Sequence, residues 1–448
     1  MSIVSYPDYR ESALEFLPSI PSGWTVGRLK DWFELRSSNV DKHSIEDEQE
    51  VRLCNYTDVY YNDVIMSSAD MMIATARADQ IDRFQLRAGD VLITKDSETA
   101  DDIAVPALVT VNLPGVLCGY HLAILRSRGP ASGPFLRYWF LSDYAKSLFE
   151  VRANGLTRVG LPQSAINDAP IAIPSVGEQR AIAVFLDRET KKIDATITTQ
   201  ERLIEFLTEK QATAICSAIT GRSVVTKPTK HSGVQWLGAI PTHWQVHRLA
   251  NLFQEVNLPS DETRPILSIS IHHGASNDEL SEGESGRKVT RSEDRSTYKA
   301  VEPGDLVYNM MRAWQGGFGA VKVMGAVSPA YVVARPSSPH LSEYVELVLR
   351  TPNAIAEMKR YSRGITDFRM RLYWDRFKDI EIALPPEDEM IEILEHVRQL
   401  KAETSRVVDA ANRMNAMLRE RRAALITAAV TGKIDVRDQN HVSKEEAA

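Results

Sequence analysis

Asp90 and Lys95, within Gly-Asp-Val-Leu-Ile-Thr-Lys (89–95), are the residue types of a nuclease core, where carboxylates hold a metal ion beside a lysine. Such a core places a second carboxylate two residues before the lysine, and that position here is Ile93, so both residues are read as structural strand residues. His272-His273 could hold a metal or touch bases, and is read as an exposed loop pair. Gly316-Gly317-Phe318-Gly319 is glycine-rich but lacks the strand–loop–helix spacing of a dinucleotide site, so it is read as a tight turn in a surface loop. The chain has no GxxxxGK[ST] phosphate loop, no HExxH pair and no GxSxG elbow. Cys54, Cys118 and Cys216 are far apart, without CxxC spacing, which fits neither a zinc site nor a disulfide framework. They are expected to be packing residues in a reducing cytoplasm. No catalytic, cofactor-binding or metal residue is assigned, and these chemistries together favour a binding or scaffold protein.

The elements that must carry such a protein are bounded by size and charge. A length of 448 residues predicts two to four domains. With 43% hydrophobic and 25% charged residues, the composition is that of a globular chain with substantial cores. The 53 basic and 60 acidic residues give a net charge of −7, which argues against a polybasic protein but leaves room for a local basic face. No run of about 18 apolar residues predicts a membrane span, and the opening MSIVSYPDYRESALEF lacks the apolar stretch of a signal peptide.

The chain repeats itself. LPSIPSGWTVGRLKDWFE (17–34) and LGAIPTHWQVHRLANLFQ (237–254) match at a constant offset of 220, with eight of 18 positions identical, including Pro21/Pro241, Trp24/Trp244 and Arg28/Arg248. Ala-Gly-Asp (88–90) matches Pro-Gly-Asp (303–305), and Gly155-Leu156-Thr157 matches Gly364-Ile365-Thr366. IAIPSVGEQ (171–179) matches IALPPEDEM (382–390), and QATAICSAITG (211–221) matches RAALITAAVTG (422–432), both at an offset of 211. The order is kept throughout, so a whole module has been duplicated, the second copy being nine residues shorter (220 − 211) within its globular part. Trp24 and Trp244 are read as packing residues at the entrance of each globular part.

The division that follows is an arm (1–20), a globular part (21–173), a helix (174–221), a linker (222–240), a second globular part (241–384), a second helix (385–432) and a tail (433–448). Each globular part mixes β-rich runs such as DVLITK (90–95), ALVTVNL (107–113), HLAIL (121–125), DLVYNM (305–310) and AYVVA (330–334) with helical stretches at 135–151 and 341–362. The runs do not alternate regularly with helices, so the fold class is α+β. After Pro174 and Pro385 come acidic first turns and about 44 residues almost free of glycine and proline, ending at Thr-Gly (220–221, 431–432). Each helix is then about 66 Å long. The second predicts a heptad seam through Met390, Ile393, Val397, Leu400, Val407, Ala411, Met414, Leu418, Leu425 and Ala428, with Thr404 and Arg421 as exceptions. The first shows an eleven-residue recurrence, Ile182, Ile193, Ile204 and Ile215, with Leu186, Ile197 and Ile219 alongside. Packing of each helix on its own globular part is the alternative. A narrow seam on so long a helix suits another helix better, and the expectation is an antiparallel coiled-coil spacer.

The paired IPSGWTVGRL (20–29) and IPTHWQVHRL (240–249), with KHSGVQWLGAIPTHW (230–244), IPSVGEQRAIAVFLD (173–187), MRAWQGGFG (311–319) and the AITG and AVTG helix ends, resemble the specificity subunits of type I restriction–modification systems. One departure is Met390, where the first repeat has Gln179. The resemblance spans nearly the whole chain. It implies two target-recognition domains, each reading half of a bipartite duplex DNA target, held apart by helices that dock two methyltransferase subunits. Those subunits would bind S-adenosylmethionine, and a translocating nuclease subunit would use ATP and Mg; this chain would bind no cofactor and no membrane. The first globular part carries 15 basic and 20 acidic residues and the second 18 of each, so the isolated chain is expected to bind DNA weakly. Candidate DNA contacts are Arg77, Lys95, Tyr120, Asn154 and Arg158 in the first part, and Arg287, Lys288, Arg291, Arg312, Trp314, Gln315, Arg363 and Arg369 in the second. A protein-binding adaptor with two heads and no DNA role is the alternative.

Overall fold

The computed structural model describes residues 4–155, 157–222, 228–261, 263–271, 274–276, 297–364 and 370–437. They form two compact units: one runs to Glu201 and resumes at Asn412, the other is Arg202–Ala411. In the first unit, the strand after Trp24 (Thr25–Arg28) pairs antiparallel with Pro170–Ile173. In the second, Gln245–Arg248 pairs in the same way with Glu381–Leu384. The strand that opens each globular part is therefore zipped to the strand that closes it, and the two repeated sequence segments recur together because they are partners.

The main sheet of the first unit contains β1 (Phe33–Ser37), β2 (Val64–Ile65), β3 (Val91–Thr94), β4 (Pro106–Val109) and β5 (Leu122–Ser127), in the order β1-β5-β3-β4-β2. The second unit repeats it with β6 (Phe253–Glu255), β7 (Leu306–Asn309), β8 (Phe318–Ala320) and β9 (Tyr331–Pro336), in the order β6-β9-β7-β8. Alternate residues serve two cores. Val91, Ile93, Ala123 and Leu125 face one, and Leu92, Leu122 and Ile124 face the other. In the second unit, Leu306, Tyr308, Val332 and Ala334 face one, and Val307 and Val333 the other. Burial on both faces explains why these strands read as unbroken apolar runs.

The helical stretch at 135–151 is two helices, α1 (Gly133–Leu141) and α2 (Asp143–Glu150). Ser142 breaks it: its extended backbone leaves the helix, and its hydroxyl donates to Trp139 O while accepting from the Ala145 amide. Thr351 divides 341–362 in the same way, with Pro352 opening the next helix.

Two helices of 44 residues follow the closing strands, α3 (Val176–Ile219) and α6 (Glu387–Val430), numbered after α4 (Leu341–Leu349) and α5 (Pro352–Tyr361). In the first unit Asp194 pairs with Arg422 (2.9 Å) and Glu201 with Arg419 (2.7 Å); in the second Gln211 donates to Leu400 O (3.2 Å). Rising numbers on α3 meet falling numbers on α6, so the helices run antiparallel. Packing on the globular parts also occurs: Ile182, Leu186 and Ile426 belong to the core of the first unit, Ile219, Leu394 and Val397 to that of the second.

The seams differ from expectation in two respects. On α3, Thr190, Ile193, Ile197, Gln200, Ile204, Leu207 and Gln211 are sheltered at alternating spacings of three and four. This is a heptad; polar Thr190, Gln200 and Gln211 conceal it and leave only the eleven-residue isoleucine recurrence visible. Ile182, Leu186, Ile193 and Ile197 are buried, and Ile204 and Ile215 half-buried. On α6, Val397 is buried and Ile393, Leu400, Leu418 and Leu425 half-buried, but Val407 and Met414 are 47% and 48% exposed. Val408 and Asn415 take their places, displaced by one residue. The displaced positions include Asn415 and Arg422, whose polar side chains hide the seam; Arg422 reaches Asp194 across the helix pair.

Each helix ends on a left-handed glycine, Gly221 (φ 71°) and Gly432 (φ 73°), with the next amide returning to a carbonyl five residues back, Arg222 N to Ser217 O and Lys433 N to Ala428 O. A Cβ on Gly432 would strike Pro21, and one on Gly221 would strike Pro241. The segment read as a linker contains Thr229–His231 paired with Ala239–Pro241, the counterpart of Tyr9–Leu14 with Leu17–Pro21, so each module begins with a hairpin ahead of its proline.

Candidate nucleic-acid interface

The contacts shared by the two modules define a scaffold. Trp24 Nε1 donates to Glu178 (3.1 Å) and Trp244 Nε1 to Glu389 (3.3 Å); both indoles are buried. Asp90 accepts from Arg126 through Nε (2.8 Å) and Nη2 (2.6 Å), and Asp305 from Arg335 through the same two atoms at 2.9 Å. Each aspartate also accepts a backbone amide, from Arg87 or Glu302, which closes the turn before the strand. Asp90 is thus a turn anchor and holds no place in a nuclease core. The exchange of Gln179 for Met390 is accommodated: Gln179 Oε1 accepts from the Ser132 amide, while Met390 is a buried apolar side chain in the second core.

The last residue of β3 and that of β7 lead into a second shared arrangement. The Lys95 amide donates to His121 O and Lys95 O accepts from Leu161; Met310 bonds in the same way to Ala330 and Leu372. Beside each lies a loop closed by two reciprocal amide bonds, between Asn154 and Gly160 in the first unit and between Arg363 and Arg371 in the second. At this common place the side chains differ: Lys95, Asp96 and His121 in one module correspond to Met310, Met311 and Ala330 in the other.

In the first unit, Asp96 forms an ion pair with Arg158 Nη2 (2.7 Å) and lies 2.7 Å from His121 Nδ1. The Tyr120 ring centroid is 3.7 Å from that of His121. Lys95, Tyr120 and Arg158 are therefore brought together. Lys95 Nζ donates inward to Ser37 Oγ and Ser38 O, and burial pulls its pKa below the usual lysine value. It acts as a crosslink between strands. Asn154 is exposed at the mouth of the loop. Arg77 sits on another element, at the start of Ala78–Phe84, with its guanidinium on Asp79 (3.0 Å).

In the second unit, Arg312, Trp314 and Gln315 share one short turn after β7, ended by Gly316 in the left-handed region. Gly317 and Gly319 pack against the Arg312 carbonyl and Ala275, so the glycine run is a turn leading directly into β8. Trp314 lies 5.4 Å beneath Lys359 Nζ, and Arg363 pairs with Asp375 (3.2 Å). Arg287, Lys288, Arg291, Arg369 and His272-His273 lie outside the described residues. Sequence reasoning missed Asp96, His121, Lys359 and the Tyr60 hydroxyl bonded to Asp102 (2.6 Å). Only the chain reversal around β3 and β5 brings Asp96 and His121 together, and no local spacing signals it. Cys54 and Cys118 are buried on neighbouring strands in register, and burial raises both thiols' pKa. Among the described residues, no three His, Cys, Asp or Glu converge as a metal site, and no helix is long and apolar enough to cross a membrane.

Residues 21–205 match the family described as the type I restriction modification DNA specificity domain. They form such a domain. The second unit repeats the scaffold of this domain. No curated protein sequence matches it significantly. Among solved structures, the HsdS subunit from Thermoanaerobacter tengcongensis is similar at 16% identity and a TM-score of 0.52, over 93% of this chain and 98% of that one. A chain from a structure described as the basis of complex assembly and conformational transition of the type I R-M system is similar at 16% identity and a TM-score of 0.67, over 93% and 99%. At that identity the likeness is one of fold, and it runs through both modules.

Proposed function

We propose that the chain is a DNA sequence-specificity subunit of the type I restriction–modification class, that each globular part reads one half of a bipartite duplex target, and that α3 and α6 set the separation and dock two methyltransferase subunits. S-adenosylmethionine would be held by those subunits, and ATP and Mg by a translocating nuclease subunit, so the chemistry of methylation and cleavage belongs to partners. The observation that carries this reading is the contrast between the modules. The contacts that hold the fold are the same in both, while the side chains at the loop end of the sheet differ. A scaffold kept twice with different residues at one place is what two different half-sites require. The leucine, phenylalanine and methionine side chains exposed on the helices, at Leu203, Phe206, Met414 and Met417, supply apolar surface for subunit docking.

Methylome sequencing tests the proposal. Deleting the gene should abolish methyladenine at one split motif. Replacing residues 21–173 with the equivalent part of another specificity subunit should change one half of that motif and leave the other half and the spacing intact. A swap that altered both halves would overturn the modular reading.

A further inference from the structure

We propose that Arg158 reads a guanine in the half-site of the first domain, and that Asp96, braced by His121, is the positioning residue that holds it in reading geometry. The inference rests on the DNA-specificity reading and goes to the residue and base that carry it. Arg158 is anchored at its root and exposed at its tip. The strand Asp96–Ser97 pairs antiparallel with Val159–Gly160, so the backbone next to Arg158 is zipped directly to the backbone of Asp96. The Asp96 side chain is 19% exposed and that of His121 16%, whereas that of Arg158 is 54% exposed. One guanidinium nitrogen is in ion-pair contact with the carboxylate, without a hydrogen bond, and a guanidinium has five N–H donors in a fixed fork. The remaining donors suit the O6 and N7 acceptors that guanine presents together in the major groove, a pairing that no other base edge offers.

The bracing comes from two sides. His121 Nδ1 approaches the second carboxylate oxygen of Asp96, and the Tyr120 ring lies against the imidazole, so Asp96 cannot swing away without disturbing both rings. An arginine fixed before binding loses little side-chain freedom when it meets the base, which favours readout over loose phosphate contact. The second domain has Met311 and Ala330 where the first has Asp96 and His121. It lacks this anchor and must read its half by other means, as unequal half-sites demand.

The test sequences the methylated motif in the native host, with its own partner subunits and the full-length chain carrying Arg158→Ala, Arg158→Lys or Asp96→Asn. The wild-type chain should yield a guanine at a fixed position in the half assigned to the first domain. Arg158→Ala and Arg158→Lys should both make that one position degenerate and lower methylation at the original site about tenfold, with the other half and the spacing unchanged. Lysine keeps the charge but lacks the fork, so its failure separates base reading from phosphate attraction. Asp96→Asn should relax the same position more weakly. The inference is overturned if both Arg158 variants keep every base of the motif. It is equally overturned if Arg158→Ala depresses methylation without relaxing any position while Arg158→Lys behaves as wild type, which marks a structural role. If deleting the gene leaves the methylome unchanged, the DNA-specificity reading itself fails, an outcome distinct from either.

Discussion

At the scale of single residues, the scaffold depends on a few polar bonds placed where burial makes them strong. Asp90 is almost wholly buried and receives two bonds from Arg126, which is itself largely sheltered. Removing one partner of such a pair strands the other and costs about 3–5 kcal/mol. Asp90→Asn should therefore open the first domain's sheet, read as lost hydrogen-exchange protection at Val91–Thr94. Asp305→Asn should loosen Leu306–Asn309 less, because Arg335 is far more exposed and water can take over its bonds. Unchanged exchange in both strands would show that the pair is dispensable. The sequence reveals the two aspartates, since each follows glycine in the repeat. It conceals their arginines, which lie 36 residues downstream in one module and 30 in the other. Their common role appears only when β5 and β9 fold back beside β3 and β7. Asp96 and His121 were concealed for the same reason.

At the scale of elements, helix existence, length and caps were legible because they follow from local rules: proline before, acids in the first turn, glycine after. The seam was not, because its centre is polar. Gln200 and Asn415 occupy sheltered positions in the first unit, and Gln200 Oε1 and Asn415 Oδ1 have no hydrogen-bond partner among the described residues. Polar groups in a helix seam lower stability and fix register. The double variant Gln200→Leu with Asn415→Leu should relieve two unsatisfied buried oxygens and raise the thermal midpoint by a few degrees, an effect on the order of 1–3 kcal/mol. A lowered midpoint would show that these amides stabilise the pairing. If register is what they protect, cross-linking of cysteines placed along the stabilised helices should report more than one alignment.

At the scale of the whole molecule, duplication was the feature the sequence declared most plainly, since it needs only an ordered set of matches. The division of labour between shared scaffold and differing loop ends required the structure, because corresponding positions carry four different offsets. The spacer reading predicts how the target responds to helix length. Seven residues preserve the heptad and add about 10.5 Å to a helix, close to three base pairs at 3.4 Å each. The insertion must enter α3 and α6 together, opposite one another, because the two run antiparallel and a single insertion would throw their seams out of register. Adding seven residues turns a helix by about −20° relative to a whole number of turns, whereas three base pairs turn the duplex by roughly 100°. A complex carrying the lengthened protein should therefore methylate a motif with both half-sites intact and a spacer about three base pairs longer, more slowly than wild type, because the helices or the duplex must absorb the mismatch in rotation. Retention of the original spacing by a folded, active double-insertion variant would show that something other than helix length sets the distance between the half-sites.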